Sequence, residues 1–464
     1  MKRLRPNILF LVADQHRWDC LGLAKRYPVL TPHLDRLADE GAWFSHAFSP
    51  IPVCGPARQS ILSGLAPEQF GSLWNQDFLA CPALQPSDNF FMAALARAGY
   101  DTTLIGKWNV SLHHTPGDFG FNRHIDLKAE FQSVEARYPH SSWPNGWFGD
   151  PSPLPLADSR THLAAGIACE QMRQADKDRP FMIRVDFQDP HLPCRPSEPF
   201  ASLYRPEDMV PWDSFADNLA DKPYIQRQQL VNWQLQGKTW NEWSRTVALY
   251  LGMISQIDDA VGLMLKQLQE LGLEDETLVI YTSDHGDLCG GHGMIDKHYV
   301  LYDDVTRVPL IIRDPQQNRP GREIEAFTSL LDIGATLAQR CELEGVNPGH
   351  GQSLLPFMND CDTSSVEREE IVCSSNGQQF GLYTQRCIRT RDWLYVWNLT
   401  DIDELYELAS DPGQCVNRIT DMSCQSVLAD LRKRLYQVLL KRQDPFVSSI
   451  WVRDQLLHGR KLDS

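Results

Sequence analysis

A chain of 464 residues with 42% hydrophobic side chains is long enough to bury one large α/β core and to carry a smaller appendage. Its formal charge of −16 argues against nucleic acid and anionic membrane surfaces as partners, since both demand net or patterned positive charge, and any anionic substrate would need a local cationic pocket. The twelve cysteines form no Cys-X-X-Cys pair and no repeating spacing, which disfavours a zinc site and a disulfide framework and fits a reducing, cytoplasmic setting.

The basic start Met1-Lys-Arg-Leu-Arg-Pro ahead of an apolar run has the outline of a signal peptide. The run is short, lacks a small-residue cleavage site and leads straight into Asp14, so residues 8–13 read as a first strand buried on both faces. No stretch reads as long enough to span a bilayer. Asp14-Gln15 at the strand's C-terminal end lie where an open α/β sheet binds ligands, although an Asp there also serves as a helix cap. Residues 31–41 read as a helix with Thr31 as cap, Pro32 at its first position and Gly41 as its left-handed stop. Residues 42–49 then read as a strand feeding Ile51-Pro-Val-Cys-Gly-Pro-Ala-Arg58. Taken alone, Cys54 is a buried, inert thiol. Gly55-Pro56, however, place it at a helix start, where unpaired N–H groups favour an anion or an activated nucleophile, and Arg58 follows one turn later. The offset of four from Cys54 to Arg58 disfavours the longer phosphate cradle of a cysteine phosphatase.

Residues 87–99 read as a second helix and 100–105 as a second buried strand, ending on Gly106-Lys107-Trp108-Asn109 with His113 and His114 beyond. Residues 121–156 are rich in aromatics, Pro and Gly with little periodicity, an irregular insertion of the kind that lines pockets. A helix over 157–175 and a strand over 180–187 follow, the latter running into Gln188-Asp-Pro-His191-Leu-Pro-Cys-Arg195. Residues 197–240 form another excursion with several Trp and Pro; the aromatics of both excursions suit stacking on a sugar or aryl ring, or plain packing. Residues 241–271 read as a long helix whose Asp258-Asp259 pair lies on a solvated face. The strand over 277–282 leads into Ser283-Asp284-His285-Gly286-Asp287, followed by Gly290-Gly-His-Gly293 and Lys297. A strand over 305–313 and a helix over 327–340 come next. The short strand-like runs at 370–373, 383–388 and 393–398, with a helix at 426–442, predict a small subdomain over 360–464 behind a catalytic domain over 1–359.

The segment Cys54-Gly-Pro56-Ala-Arg58, continuing into Gln59-Ser-Ile-Leu-Ser-Gly64, resembles the signature of the type I sulfatases of the alkaline-phosphatase-like superfamily. The likeness covers most of the chain, including Glu404-Leu-Tyr-Glu-Leu and Asp411-Pro-Gly near its end, and is densest at the strand ends. It implies an α/β fold with a large, mostly parallel sheet flanked by helices and a smaller C-terminal α+β subdomain. It further implies hydrolysis of a sulfate monoester, of a sugar or another small alcohol or aryl group, by a formylglycine made from Cys54 by a maturation enzyme. One divalent metal would be held by Asp14, Gln15, Cys54, Asp284 and His285. That donor set suits Ca²⁺ and leaves Mn²⁺ and Mg²⁺ open. Arg58, Lys107 and Lys297 would neutralise sulfate oxygens and His191 would protonate the leaving alcohol. Asn109, His113, His114 and Arg195 are candidate substrate contacts. Two departures stand out: Gln15 replaces the family's second Asp, as in relatives resembling phosphonate monoester hydrolases, and Asn109 stands where His is usual and cannot shuttle a proton at neutral pH. A phosphonate monoester or phosphodiester hydrolase is therefore one rival reading, and a non-catalytic binding protein with unmodified Cys54 is another. The oligomeric state is not legible.

Overall fold

The structure, a computed structural model, describes residues 5–71, 74, 75, 84–138, 144–359, 361, 363, 367–377 and 379–459. Its centre is the strand Asn7–Ala13, buried along its whole length because it pairs in parallel with Phe181–Asp186 on one side and Thr277–Ser283 on the other. Its alternate residues feed two layers. Ile8, Phe10 and Val12 pack in one core with the helices Cys54–Ser63, Phe91–Arg97 and Asp332–Arg340, whereas Leu9, Leu11 and Ala13 pack in a second core with Pro32–Glu40, Arg160–Gln174 and Trp240–Glu270.

The full sheet has eight strands in the order Arg322–Ile324, Ala42–Phe44, Leu310–Arg313, Thr277–Ser283, Asn7–Ala13, Phe181–Asp186, Asp101–Gly106 and Arg123–Ile125. Only Leu310–Arg313 runs antiparallel to its neighbours. The smaller sheet is an antiparallel meander of Ile371–Gly377, Tyr383–Arg389, Trp393–Asn398 and Glu404–Glu407. Its two faces are both covered. Val372, Ile388, Tyr395 and Leu405 meet the helix Gln425–Lys441, and Cys373, Cys387, Val396 and Tyr406 meet Phe48, Val300 and Leu301 of the larger domain.

Several expected elements take a different form. The strand over 42–49 is broken into Ala42–Phe44 and Ala47–Phe48, which join different sheets. The helix over 87–99 starts only at Phe91, because Ser87 accepts from the N–H of Asn89 and Phe90 and spends the first turn as a bend. The strand over 305–313 opens as a helical turn, Asp303–Thr306, and is split by Pro309, which has no N–H to give a ladder. The helix over 327–340 begins at Asp332, since Thr328–Ser329 pair with Ala47–Phe48. The irregular insertion contains the edge strand Arg123–Ile125 and the helix Leu127–Glu135, the second excursion contains the helix Tyr224–Asn232, and the C-terminal subdomain gains a second helix, Ile450–His458.

The helix Trp240–Glu270 has the length and apolarity to cross a bilayer, contrary to expectation, but 89% of its most apolar stretch is buried in this fold. Its Asp258 is not on a solvated face. It is buried and accepts from the backbone N–H of His33 and Leu34 at 3.2 and 2.8 Å, capping the helix Pro32–Glu40. The expected cap, Thr31, instead donates to Asp35 and accepts from Gly22 N–H. Gly41 has φ −128° and makes no left-handed stop. Glycine is needed there because a Cβ would lie 2.4 Å from the carbonyl oxygen of Ile312.

Candidate active site and metal centre

The register of the large sheet delivers the site. Val12 and Gly106 are both level with Asp186, and Ala13 is level with Ser283, so the residues that follow leave the sheet at one height. Asp284 N–H then donates to Ala13 O and Lys107 N–H to Asp186 O, each at 3.1 Å, which aims Asp14, Lys107 and Asp284 into one space. Gly106 makes this approach possible. It has φ +97°, and a Cβ would lie 2.2 Å from Asp186 O.

Into the same space the helix Cys54–Ser63 presents its first residue. Cys54 is buried, with Sγ 3.2 Å from His285 Nε2 and 3.5 Å from Asp14 Oδ1. The potential ligand atoms of Asp14, Cys54, Asp284 and His285 all lie within 4.8 Å of one another. His285 Nδ1 sits 2.8 Å from Gly286 O, so the proton belongs on Nδ1 and Nε2 turns its lone pair to the cluster. Among the described residues Asp284 Oδ2 accepts no hydrogen bond, and its ion-pair partner is the Arg58 guanidinium, at 2.9 Å. Two carboxylates and an imidazole, buried together with a carboxylate oxygen short of donors, fit a divalent cation.

Arg58 lies beneath this cluster. Fully buried, it reaches Asp14 at 3.2 Å, Asp284 at 2.9 Å and Asp186 at 2.5 Å, and Arg184 clamps the same Asp186 at 2.6 and 2.8 Å. The two terminal nitrogens of Arg58 thus face carboxylates, while its buried Nε–H has no hydrogen-bond partner among the described residues. Lys107 pairs with Asp14. Lys297 is held by Asp296 at 3.2 Å and by Gln15 Oε1 at 3.1 Å, and its Nζ lies 3.3 Å from His191 Nε2. The Gln15 amide donates to Asp287 and Asp296, at 2.5 and 3.1 Å, so its side chain serves the lysine side of the site.

Charge is balanced by opposition. Burial and the Asp14 carboxylate would raise the Cys54 thiol, yet Lys107, Lys297 and His285 bring it well below its ordinary value. Burial would likewise raise Asp14, and Lys107, His191, Arg58 and His285 hold it well below the usual carboxylate range. Burial and Asp14 push Asp284 up. Against burial, Asp284 and Cys54 raise His285, and Asp296 and Cys54 raise Lys297. The site therefore sets Lys107, Lys297 and Arg58 against the carboxylates of Asp14, Asp284, Asp186 and Asp296, with the two lysines acting on Cys54.

His191 Nδ1 lies 2.6 Å from Leu192 O, which leaves Nε2 to face the site. The same loop lines a cleft of about 270 Å³ with Arg195, Arg160 and Phe131. Asn109 borders Cys54 from the other side, its carbonyl 3.3 Å from the point where a Cβ on Gly55 would sit. His113 is exposed and His114 packs against Phe119; among the described residues neither contacts the cluster. Sequence reasoning missed four polar groups here. Asp186 closes an apolar strand level with Gly106, a signal that was available. Asp287 and Asp296 flank segments already singled out. Asn75, whose Oδ1 accepts from Gly55 N–H at 2.8 Å, has no local signal at all.

A buried metal-ligand cluster and an activated side chain at the C-terminal edge of a sheet covered on both faces define a hydrolase of the alkaline-phosphatase-like class. Residues 6–342 match the family model described as Sulfatase, and residues 290–441 match that of N-sulphoglucosamine sulphohydrolase, C-terminal. The chain is 30% identical over 463 residues to the uncharacterized sulfatase YidJ of Escherichia coli K12, covering 96% of this chain and 90% of that one. It is also 30% identical over 502 residues to the multifunctional alkaline phosphatase superfamily protein PehA of Trinickia caryophylli, covering 95% and 96%. Among solved structures, the phosphonate monoester hydrolase of Agrobacterium radiobacter superposes with a TM-score of 0.81 at 26% identity, covering 94% of this chain and 96% of that one. A protein solved with its substrate D-glucosamine-2-N,6-O-disulfate shares the fold with a TM-score of 0.79 at 20% identity, covering 95% and 98%. The chain belongs to the sulfatase family, and its relatives named as arylsulfatase and N-acetylglucosamine-6-O-sulfatase support sulfuric ester hydrolase activity.

Proposed function

We propose that the protein hydrolyses a sulfate monoester of a saccharide or another small alcohol or aryl group, with residue 54 in its formylglycine form and one divalent cation. The oxygen-rich donor set favours Ca²⁺ over Mn²⁺ or Mg²⁺. The observation that carries this reading is the position of Cys54, inside the Asp14–Asp284–His285 cluster and under the fields of Lys107 and Lys297. When present, the cation would offset charge on the sulfate oxygens, and the hydrated aldehyde would supply a nucleophilic oxygen and a second hydroxyl through which sulfate is expelled.

The chain's own residues do the rest. Lys107 and Lys297 neutralise oxygens of the transferring group, and His191 gives its Nε2 proton to the departing alcohol oxygen. Arg58, paired with three carboxylates, would hold the ligands in place as well as add positive charge beneath the sulfate. Asn109 and Arg195 remain the candidate substrate contacts, and His113 and His114, which among the described residues do not touch the cluster, would act only on a more distant part of the substrate. Because Cys54 is buried in the folded chain, a formylglycine-generating or equivalent enzyme acts on it before folding completes.

A phosphonate monoester or phosphodiester hydrolase is the second reading, favoured by Gln15 and by the likeness to the Agrobacterium enzyme. Protein whose Cys54 peptide is about 18 Da lighter than the cysteine form, as expected for replacing CH₂SH by CHO and unlike thiol oxidation, which adds mass, is assayed on an aryl sulfate and an aryl phosphonate monoester. Higher kcat/KM on the sulfate is expected. Higher kcat/KM on the phosphonate would overturn the assignment, and full folding with no turnover of either would leave a binding protein.

A further inference from the structure

The two aromatic-rich excursions and a turn of the small sheet meet beside His191 and Lys297. Trp147 is 55% exposed and packs edge-on against Trp233, with ring centroids 6.2 Å apart at 86°. Trp233 meets Phe380, 43% exposed, at 6.4 Å and 77°. Single exposed aromatics need no explanation, whereas a contiguous exposed apolar patch marks a binding groove, and these three rings are in contact.

Two links fix this wall relative to the chemistry. Trp233 Nε1 donates to Gln379 Oε1 at 3.1 Å, Gln379 Nε2 donates to Asp296 Oδ2 at 3.0 Å, and Asp296 Oδ1 pairs with Lys297 Nζ at 3.2 Å. Leu192, the residue after His191, shares an apolar cluster with Trp233, Phe148 and Ile295. The wall is therefore tied through Trp233 to the two loops that carry Lys297 and His191, where the alcohol departs in the sulfatase reading.

On that reading, we propose that Trp147, Trp233 and Phe380 form a subsite for the leaving group, against which the pyranose ring of a sulfated saccharide lies. Ring faces meeting near a right angle make a corner, which suits a chair with one apolar face and a polar rim and offers the Gln379 amide at its base. A flat aryl group is better held between parallel rings. A quaternary ammonium is disfavoured because Lys238 already sits 4.5 Å over the neighbouring Phe148 ring and repels a second cation.

The test compares glucose 6-sulfate, N-acetylglucosamine 6-sulfate and galactose 4-sulfate with ethyl sulfate, using the holoenzyme and its Trp147→Ala, Trp147→Phe and Phe380→Ala variants. The ratio of kcat/KM for the preferred saccharide ester to that for ethyl sulfate is expected to fall about tenfold in each alanine variant, mainly through KM, the size of a lost aromatic contact. Trp147→Phe should recover most of it. Wild-type turnover of ethyl sulfate establishes the reaction independently. Given that, an unchanged ratio, or failure to turn over any of the three sugars, overturns the subsite alone, whereas no turnover of any sulfate ester overturns the reading it rests on.

Discussion

Replacing Arg58 by Met removes one positive charge from beneath three buried carboxylates, Asp14, Asp186 and Asp284, which Arg58 meets at 3.2, 2.5 and 2.9 Å. Removing one partner of a single buried ion pair costs about 3–5 kcal/mol. With three carboxylates left facing one another, the cost should reach about 5 kcal/mol, since two like charges about 4 Å apart repel by roughly 4 kcal/mol even at an effective dielectric near 20. For a chain of 464 residues that is a Tm lower by about 5 °C. The sign with pH follows: without Arg58 the folded carboxylates bind protons more tightly than in the unfolded chain, so stability is lost as pH rises and the deficit widens from pH 5 to 8. A bound divalent cation partly replaces the lost charge, so a chelator should deepen the deficit further. Arg58→Lys should fall between, because one ammonium cannot reach Asp186 and Asp284 as two guanidinium nitrogens do. Thermal unfolding at matched scan rates, with and without chelator, together with metal content, makes the measurement. A Met variant within about 2 °C of wild type under both conditions would refute the claim that Arg58 holds the cluster together by charge.

Two further outcomes are expected. Lys107→Met should lower kcat/KM on an aryl sulfate by about 100- to 1000-fold, with a smaller loss of Tm than Arg58→Met because Asp14 keeps Arg58 as a partner. Asp14, which burial would raise, is held low chiefly by Lys107, so the acid limb of the pH–rate profile should also move to higher pH; an unmoved limb with less than a tenfold loss would contradict this. Asp258 is pushed up to about 7 by burial, from an ordinary value of 3.8. The stability it contributes is thus complete below about pH 4 and lost as pH rises through 7. In Asp258→Asn the Tm relative to wild type should therefore climb between pH 5 and 8, and a flat difference would show that the cap to His33 and Leu34 is insensitive to its charge.

The large sheet was legible because its strands are covered on both faces and announce themselves locally: the run from Ile8 to Ala13 needs no partner to be recognised. The chemistry-bearing residues were legible for a related reason. Asp14, Lys107, His191 and Asp284 each follow an apolar run, and a polar residue in that place is conspicuous whatever the sheet order. Strand order, register and the identity of neighbours were not legible, because they join residues far apart in sequence that share no local signal. Asp186 meets Arg58 across 128 positions, and Asp258 caps a helix 224 positions away when its own helix suggested a solvated face. The carboxylate partners of Arg58 and the Asp287, Asp296 and Lys297 partners of Gln15 were hidden for the same reason. A guanidinium can bind sulfate or carboxylate equally well, and only the tertiary structure decides that three carboxylates meet Arg58. The aromatics of the two excursions suited either ring stacking or packing, and only the fold set Trp147 and Trp233 edge to face and brought Phe380 of the small sheet against them. The local run of side chains determined which residues could do chemistry, and long-range packing decided which of them meet.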